Sequence, residues 1–148
     1  MEHTQTEQTV DKLNSFLRGE ISAVETYRQA IEKLAGDRRR PILEQCQRSH
    51  EYRAELLRQE IRRRGGTPAE GSGPWGAFAK LVEGGAKLFG ERAAISALEE
   101  GEDHGRDDYK RDLKQLDAAG RSFVEQNLLP EQMRTHQALS AMKHAEGN

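Results

Sequence analysis

The 148-residue chain has one cysteine, four prolines and few aromatic residues, which make up 5% of it. A lone cysteine, Cys46, excludes an internal disulfide, so nothing ties the chain to an oxidising compartment. Val, Ile, Thr and aromatic residues are too sparse for several strands, which excludes a sheet as the organising element. No stretch approaches the roughly 18 consecutive apolar residues of a membrane span, and Met1 to Val10 lacks the apolar centre of a signal peptide. The expectation is a cytoplasmic protein with no membrane partner. A dominant charge is missing too: the formal net charge is −2, so nucleic acid is not an expected partner. The basic runs Arg38 to Arg40 and Arg62 to Arg64 read as solvated surface.

What the chain does have is charge of both signs, 32% of residues against 34% apolar, a mixture suited to long solvated helices. Its length fits one domain, residues 1–148, with a polar tail over 1–6. The pattern predicts helices over about 7–35, closed by Gly36, and about 38–64, closed by Gly65-Gly66 with Pro68 beyond. Two more follow over about 91–118 and 121–145, with Pro130 predicting a kink near Asn127 to Leu129. Between the second and third, a crossover over about 65–90 holds Trp75, Phe78, Leu81, Val82, Ala86 and Phe89, spaced as a short amphipathic helix. Two tight turns and one long crossover predict an all-α, ferritin-like four-helix bundle: two antiparallel hairpins joined by a link that travels the bundle's length. The aromatic residues of the crossover can close the bundle's open end or seal a dimer, and a dimer is the expectation.

Four polar residues interrupt the apolar faces. Glu20 lies in the series Val10, Leu13, Leu17, Val24, Tyr27, Ile31, and His50 lies among Leu43, Cys46, Ala54, Leu57 and Ile61. Glu102 follows Ile95 and Leu98 and precedes Tyr109 and Leu113, while His136 is flanked by Leu129, Met133, Leu139 and Met142. Counted from the turns, each hairpin brings one Glu and one His near mid-bundle. Buried carboxylates and imidazoles without partners are costly, so four at one level need a common explanation. A transition metal is the first, since Glu and His are its usual ligands in a bundle core. Mutual hydrogen bonding is the second.

Tyr27 and Tyr109 each follow a glutamate by seven residues, two turns, and so share its face as core aromatics or neighbours of a metal. Cys46 reads as a buried structural thiol, and His3, His104 and His144 as surface residues.

The segment Leu13-Asn14-Ser15-Phe16-Leu17-Arg18-Gly19-Glu20, followed by Tyr27, resembles the first helix of bacterioferritins, where an LNxxLxxE helix supplies an iron ligand. With Gly65-Gly66-Thr67-Pro68, Gly73-Pro74-Trp75-Gly76 and Gly101-Glu102 with Tyr109, nearly the whole chain resembles a bacterial ferritin-like four-helix-bundle family of unknown function. The resemblance implies a metal centre, yet a di-iron site takes Glu-x-x-His from each of two helices. Here Gln47 stands three before His50, and Met133 three before His136, so both bridging carboxylates are missing. Two Glu and two His balance one divalent ion but not two ferric ions, which argues against a full ferroxidase. Two functions follow. The first is binding of one transition metal, iron or zinc, through Glu20, His50, Glu102 and His136, with Tyr27, Gln47 and Tyr109 around it. The second is a metal-free, stress-related or protein-interaction scaffold whose core polar residues are the relic of such a site.

Overall fold

The computed structural model describes residues 4–34, 36–73 and 91–147, and no strand occurs among them. Helix α1 spans Gln5–Lys33, its first turn capped by Thr4, whose hydroxyl accepts from the Glu7 amide at 3.1 Å. It begins inside the polar tail, two residues before the expected start. Gly36, at φ +87°, turns the chain into α2, Arg40–Arg63, which carries Pro41 in its first turn. Gly65, at φ +80°, ends α2. The next residue, Gly66, lies against α1 so closely that a Cβ there would meet Val10 Cγ1 at 2.7 Å. Helix α3 spans Glu91–Asp112. The fourth arm is α4, Ala118–Phe123, then a π-helical turn over Val124–Leu128, then α5, Leu129–Gly147. The short extra helix expected around Trp75 to Phe89 lies outside the described residues.

The π turn sits where Pro130 predicts trouble. Proline has no N–H to return to the carbonyl four residues back, and the Leu129 amide instead bonds Val124 O, five back. The ladder is widened there.

Contacts between helices fix their directions. Tyr27, late in α1, reaches Glu102 of α3, whereas Glu20, earlier in α1, reaches Tyr109, later in α3. Thr9, near the start of α1, accepts from the Asp117 amide just beyond α3 at 2.9 Å. Helices α1 and α3 are therefore antiparallel. By contrast α2 and α3 run parallel: His50 meets Glu102, and Arg64, just past α2, forks onto Asp117 at 2.7 and 3.0 Å. Parallel neighbours cannot be joined by a tight turn. The chain leaves α2 at one end and enters α3 at the other, roughly 33 Å away for a 22-residue helix.

Two apolar clusters fill the bundle. One, toward Gly66 and Gly120, gathers Leu13, Leu17, Leu57, Ile61, Leu116 and Leu128. The other, toward Gly36, gathers Leu34, Leu43, Ile95, Leu98 and Leu139. Each fully buried leucine contributes on the order of 1.5–3 kcal/mol. Between the clusters lies a polar layer.

Candidate functional site: a charged layer in the bundle core

The polar layer follows from helical spacing. In α2, Cys46, His50, Arg53 and Leu57 repeat at intervals of four, three and four, so an imidazole and a guanidinium fall on the same inward stripe as the core apolar residues. Glu20 is 5% exposed, His50 5%, Glu102 3% and Arg53 0%. His50 is the hub. Its Nδ1 lies 2.6 Å from Glu20 Oε2 and its Nε2 lies 2.7 Å from Glu102 Oε2. Each carboxylate also accepts from the tyrosine of the opposite helix: Tyr109 Oη donates to Glu20 Oε1 at 2.7 Å, and Tyr27 Oη to Glu102 Oε2 at 2.5 Å.

Arg53 completes the layer. Its Nη2 donates to Thr135 Oγ1 at 3.0 Å, and Thr135 in turn donates to Glu102 Oε1 at 2.8 Å. Its Nη1 stands 3.5 Å from Glu20 Oε1, within ion-pair range but without a hydrogen bond. The Gln132 amide donates to the Glu102 backbone carbonyl at 3.0 Å. The count of charges closes when the ring is protonated: two carboxylates face one guanidinium and one imidazole.

Electrostatics agree with that count. Burial alone drives the Glu102 carboxyl up, but the His50 cation and its hydrogen bond, then Arg53 and Tyr27, hold it down at about 2. Glu20 is lowered by the same contest, burial raising it and Arg53 and His50 outweighing that. For His50, burial and the guanidinium beside it, with Nη2 at 3.0 Å from Nε2, both work against the charged ring. The carboxylates on its two sides win and raise it. Burial first, then Glu102 and Glu20 respectively, push the Tyr27 and Tyr109 phenols well above their usual range, so both stay donors. Cys46 is a buried thiol as expected, pushed up to about 11 chiefly by burial and then by Glu102.

Three of the four residues singled out on the sequence therefore meet, and the fourth does not. His136 sits on the outer side of α5, where its Nε2 lies 2.5 Å from Asp103 Oδ1 and 3.2 Å from Arg106 Nη1. The inward stripe of the fourth arm is Val124, Leu128, Gln132, Thr135, Leu139 and Met142, one residue off the stripe through Leu129, Met133 and His136. Met133 is 56% exposed, so it does not face the centre either. Gln47 is not a neighbour of the centre; its amide donates to Val24 O at 3.2 Å and staples α2 to α1. Glu131, Glu99 and Glu44 are engaged by Ser49 and Arg134, by Lys143, and by Arg40. Arg53, Thr135 and Gln132 were missed. Arg53 had a legible signal, the spacing from His50 to Leu57; Thr135 had one only once Leu128 and Leu139 were taken as the inward pair.

The chemistry open to this arrangement is that of a closed proton network. The imidazole ring lies between the carboxylates, with one nitrogen on each, so the oxygens face ring nitrogens instead of a common point. Among the described residues, no group of three or more His, Cys, Asp or Glu side chains is set to hold a metal ion. No helix among them is long and apolar enough to cross a membrane. A cavity of about 60 Å³ abuts the layer between α1 and α3, bounded by Phe16, Gly19, Leu98, Gly101 and Gly105, with Arg53 and Gln132 among its lining.

Comparison with known proteins gives a family and no activity. No curated protein matches the chain, and no solved structure does. The model of a domain of unknown function, DUF2383, matches residues 8–115, and the chain belongs to that family.

Proposed function

We propose that this domain is a ferritin-like bundle in which the position of a metal centre is filled by the protein's own cations, Arg53 and protonated His50, so that it serves as a metal-free scaffold. The ferritin-like assignment is supported by the parallel course of α2 and α3, which demands a full-length crossover between two hairpins. One observation carries the metal-free reading. Arg53, with no exposure at all, balances together with His50 the two carboxylates that the described residues bring to the layer. A divalent ion entering in place of the His50 proton would leave one uncompensated positive charge in a low-dielectric core. Metal binding through Glu20, His50 and Glu102 is the second reading, favoured by the convergence of those three, and iron or zinc would enter only at that electrostatic cost.

A thermal melt separates the two. Chelator-treated protein is titrated with ferrous, manganous and zinc ions. The scaffold reading expects a flat melting temperature for all three. An ion that binds the folded state stabilises it by about 2.7 kcal/mol at a hundredfold excess over its dissociation constant, and a rise of that kind overturns the proposal. Arg53→Met sharpens the test: with one cation gone, a metal response should appear that the parent lacks. Self-association belongs to the same reading, with Ile42 and Tyr52 as exposed apolar side chains on α2. Sedimentation of a monomer at all concentrations would remove it.

A further inference from the structure

Leu129, Met133 and His136 follow one another at four and three residues, a helical stripe that lies one position off the buried one. It is not idle surface. Met133 is 56% exposed, and with the half-buried Leu129 it walls a groove of about 210 Å³ between α5 and α3. Arg106 and Lys110, one turn apart on α3, form the opposite wall, and His136 lines the groove as well. Among the described residues no Asp or Glu lines it. The acids nearby are already engaged: Asp107 accepts from Arg106 Nε at 3.2 Å, and Asp103 lies 2.5 Å from His136 Nε2. An Nε2 so close to a carboxylate directs its proton there, so Arg106 Nη1, 3.2 Å from the same nitrogen, gains no acceptor from it. The 3.7 Å from Nη1 to Asp103 is an ion pair too long for a hydrogen bond. Lys110 has no ion-pair partner among the described residues.

We propose that this groove binds a small monocarboxylate with a compact apolar tail, of the aryl-carboxylate class. The carboxylate meets the Arg106 guanidinium and the Lys110 ammonium, and the tail rests on Leu129 and Met133. Charge selects the head: a guanidinium matches a carboxylate fork for fork, and such charge-assisted bonds are the stronger kind. The apolar wall selects the tail, since the flexible thioether of Met133 packs well against an aromatic ring. Size agrees. Benzene fills a cavity of about 150 Å³, so about 210 Å³ has room for a ring and its carboxylate. Inorganic phosphate would leave the apolar wall uncovered, and an uncharged aryl compound would leave both cations without a counter-ion. The groove shares no charged residue with the cavity beside the core layer, so this inference does not rest on the scaffold reading.

Benzoate, benzyl alcohol and inorganic phosphate separate the roles of charge and apolar surface. Each is titrated at constant ionic strength into the full chain, labelled with nitrogen-15 and with carbon-13 in the methionine methyls. The Met133 methyl and the Arg106 and Lys110 amides are followed. Benzoate should shift them saturably, and the other two should bind at least tenfold more weakly. Arg106→Gln combined with Lys110→Gln should abolish the benzoate shifts with little change in melting temperature, because both side chains lie outside the apolar core. Should that variant fail to fold, Lys110→Gln alone, at an exposed position, should weaken benzoate at least threefold. Absence of a saturable benzoate shift, equal binding of benzyl alcohol or phosphate, or undiminished binding in these variants each overturns the proposal. The same signals moving with protein concentration in the absence of benzoate would assign the groove to a second copy of the chain and overturn it too.

Discussion

His50 and His136 occupy matching places in the two hairpins, each on the second helix, yet they live in different chemistry. His50 is 5% exposed, clasped by two carboxylates and flanked by a guanidinium. His136 keeps a side-chain exposure of 19% and rests against one carboxylate, Asp103, that is itself 43% exposed. A single residue of helical phase separates these fates. The second hairpin brings Thr135 to the centre where the first brings His50, and the missing cation is supplied by Arg53 from the first. A polar residue among apolar neighbours is thus not yet a core residue; what decides is which of those neighbours are buried.

The largest effect should come from emptying the hub. His50→Ala leaves Glu20 and Glu102 facing each other with one cation fewer, and removal of one partner from a buried pair costs about 3–5 kcal/mol. His136→Ala, losing a partly exposed pair, should cost less than about 1 kcal/mol. Urea denaturation of both variants measures the contrast, and equal losses would break the comparison.

Acidity offers a second handle, with a sign that can be worked out. The Glu20 and Glu102 carboxyls are lowered by folding, so their contribution is present above their unfolded range near pH 4.3 and is lost as pH falls toward about 2 for Glu102. His50 is raised by folding, so its contribution is whole below about pH 6.5 and is lost as pH rises through its elevated native value. Stability should peak between about pH 4.5 and 6.5 and decline on both sides. His50→Gln should flatten the alkaline decline; urea midpoints followed from that maximum up through alkaline pH would show it.

Smaller effects sharpen the symmetry of the layer. Thr135→Val removes the hydroxyl that links Arg53 to Glu102 and should cost about 1–3 kcal/mol, since it leaves two buried groups short of a bond. Tyr27→Phe and Tyr109→Phe each delete one hydrogen bond to a carboxylate and should cost about 1.5–3 kcal/mol at most, in near-equal amount. A marked inequality in thermal melts would show that one half of the layer dominates the other.

Much of this is legible in the sequence. Glu20, His50, Glu102, Tyr27 and Tyr109 announce themselves because each sits in a run whose apolar spacing is unambiguous. The fourth arm was harder. Leu128 and Leu129 are adjacent, Pro130 interrupts the ladder, and the π turn over Val124–Leu128 resets the phase, so periodicity alone allowed two stripes. The true stripe carries Gln132 and Thr135, polar residues that give no signal of burial. Arg53 was overlooked for a different reason: arginine is so rarely buried that its place on the α2 stripe carries little weight until the carboxylates around it are known. The course of the helices was legible as loop lengths, since a link travelling the bundle's length sets α3 antiparallel to α1, as their contacts place it.

The crossed tyrosines bear on how the molecule holds its halves. Each hairpin carries a glutamate and a tyrosine seven residues apart, but neither tyrosine serves the glutamate of its own hairpin: Tyr27 serves Glu102, and Tyr109 serves Glu20. An isolated first hairpin would own both cations and one carboxylate, and an isolated second hairpin would own a carboxylate and no cation from the layer. The two are complementary in charge and in hydrogen bonding, like a plug and its socket. Two copies of the first hairpin would bring four cations to two carboxylates, and two copies of the second would bring two carboxylates and no cation, so within the layer charge closes between unlike halves and not between like ones.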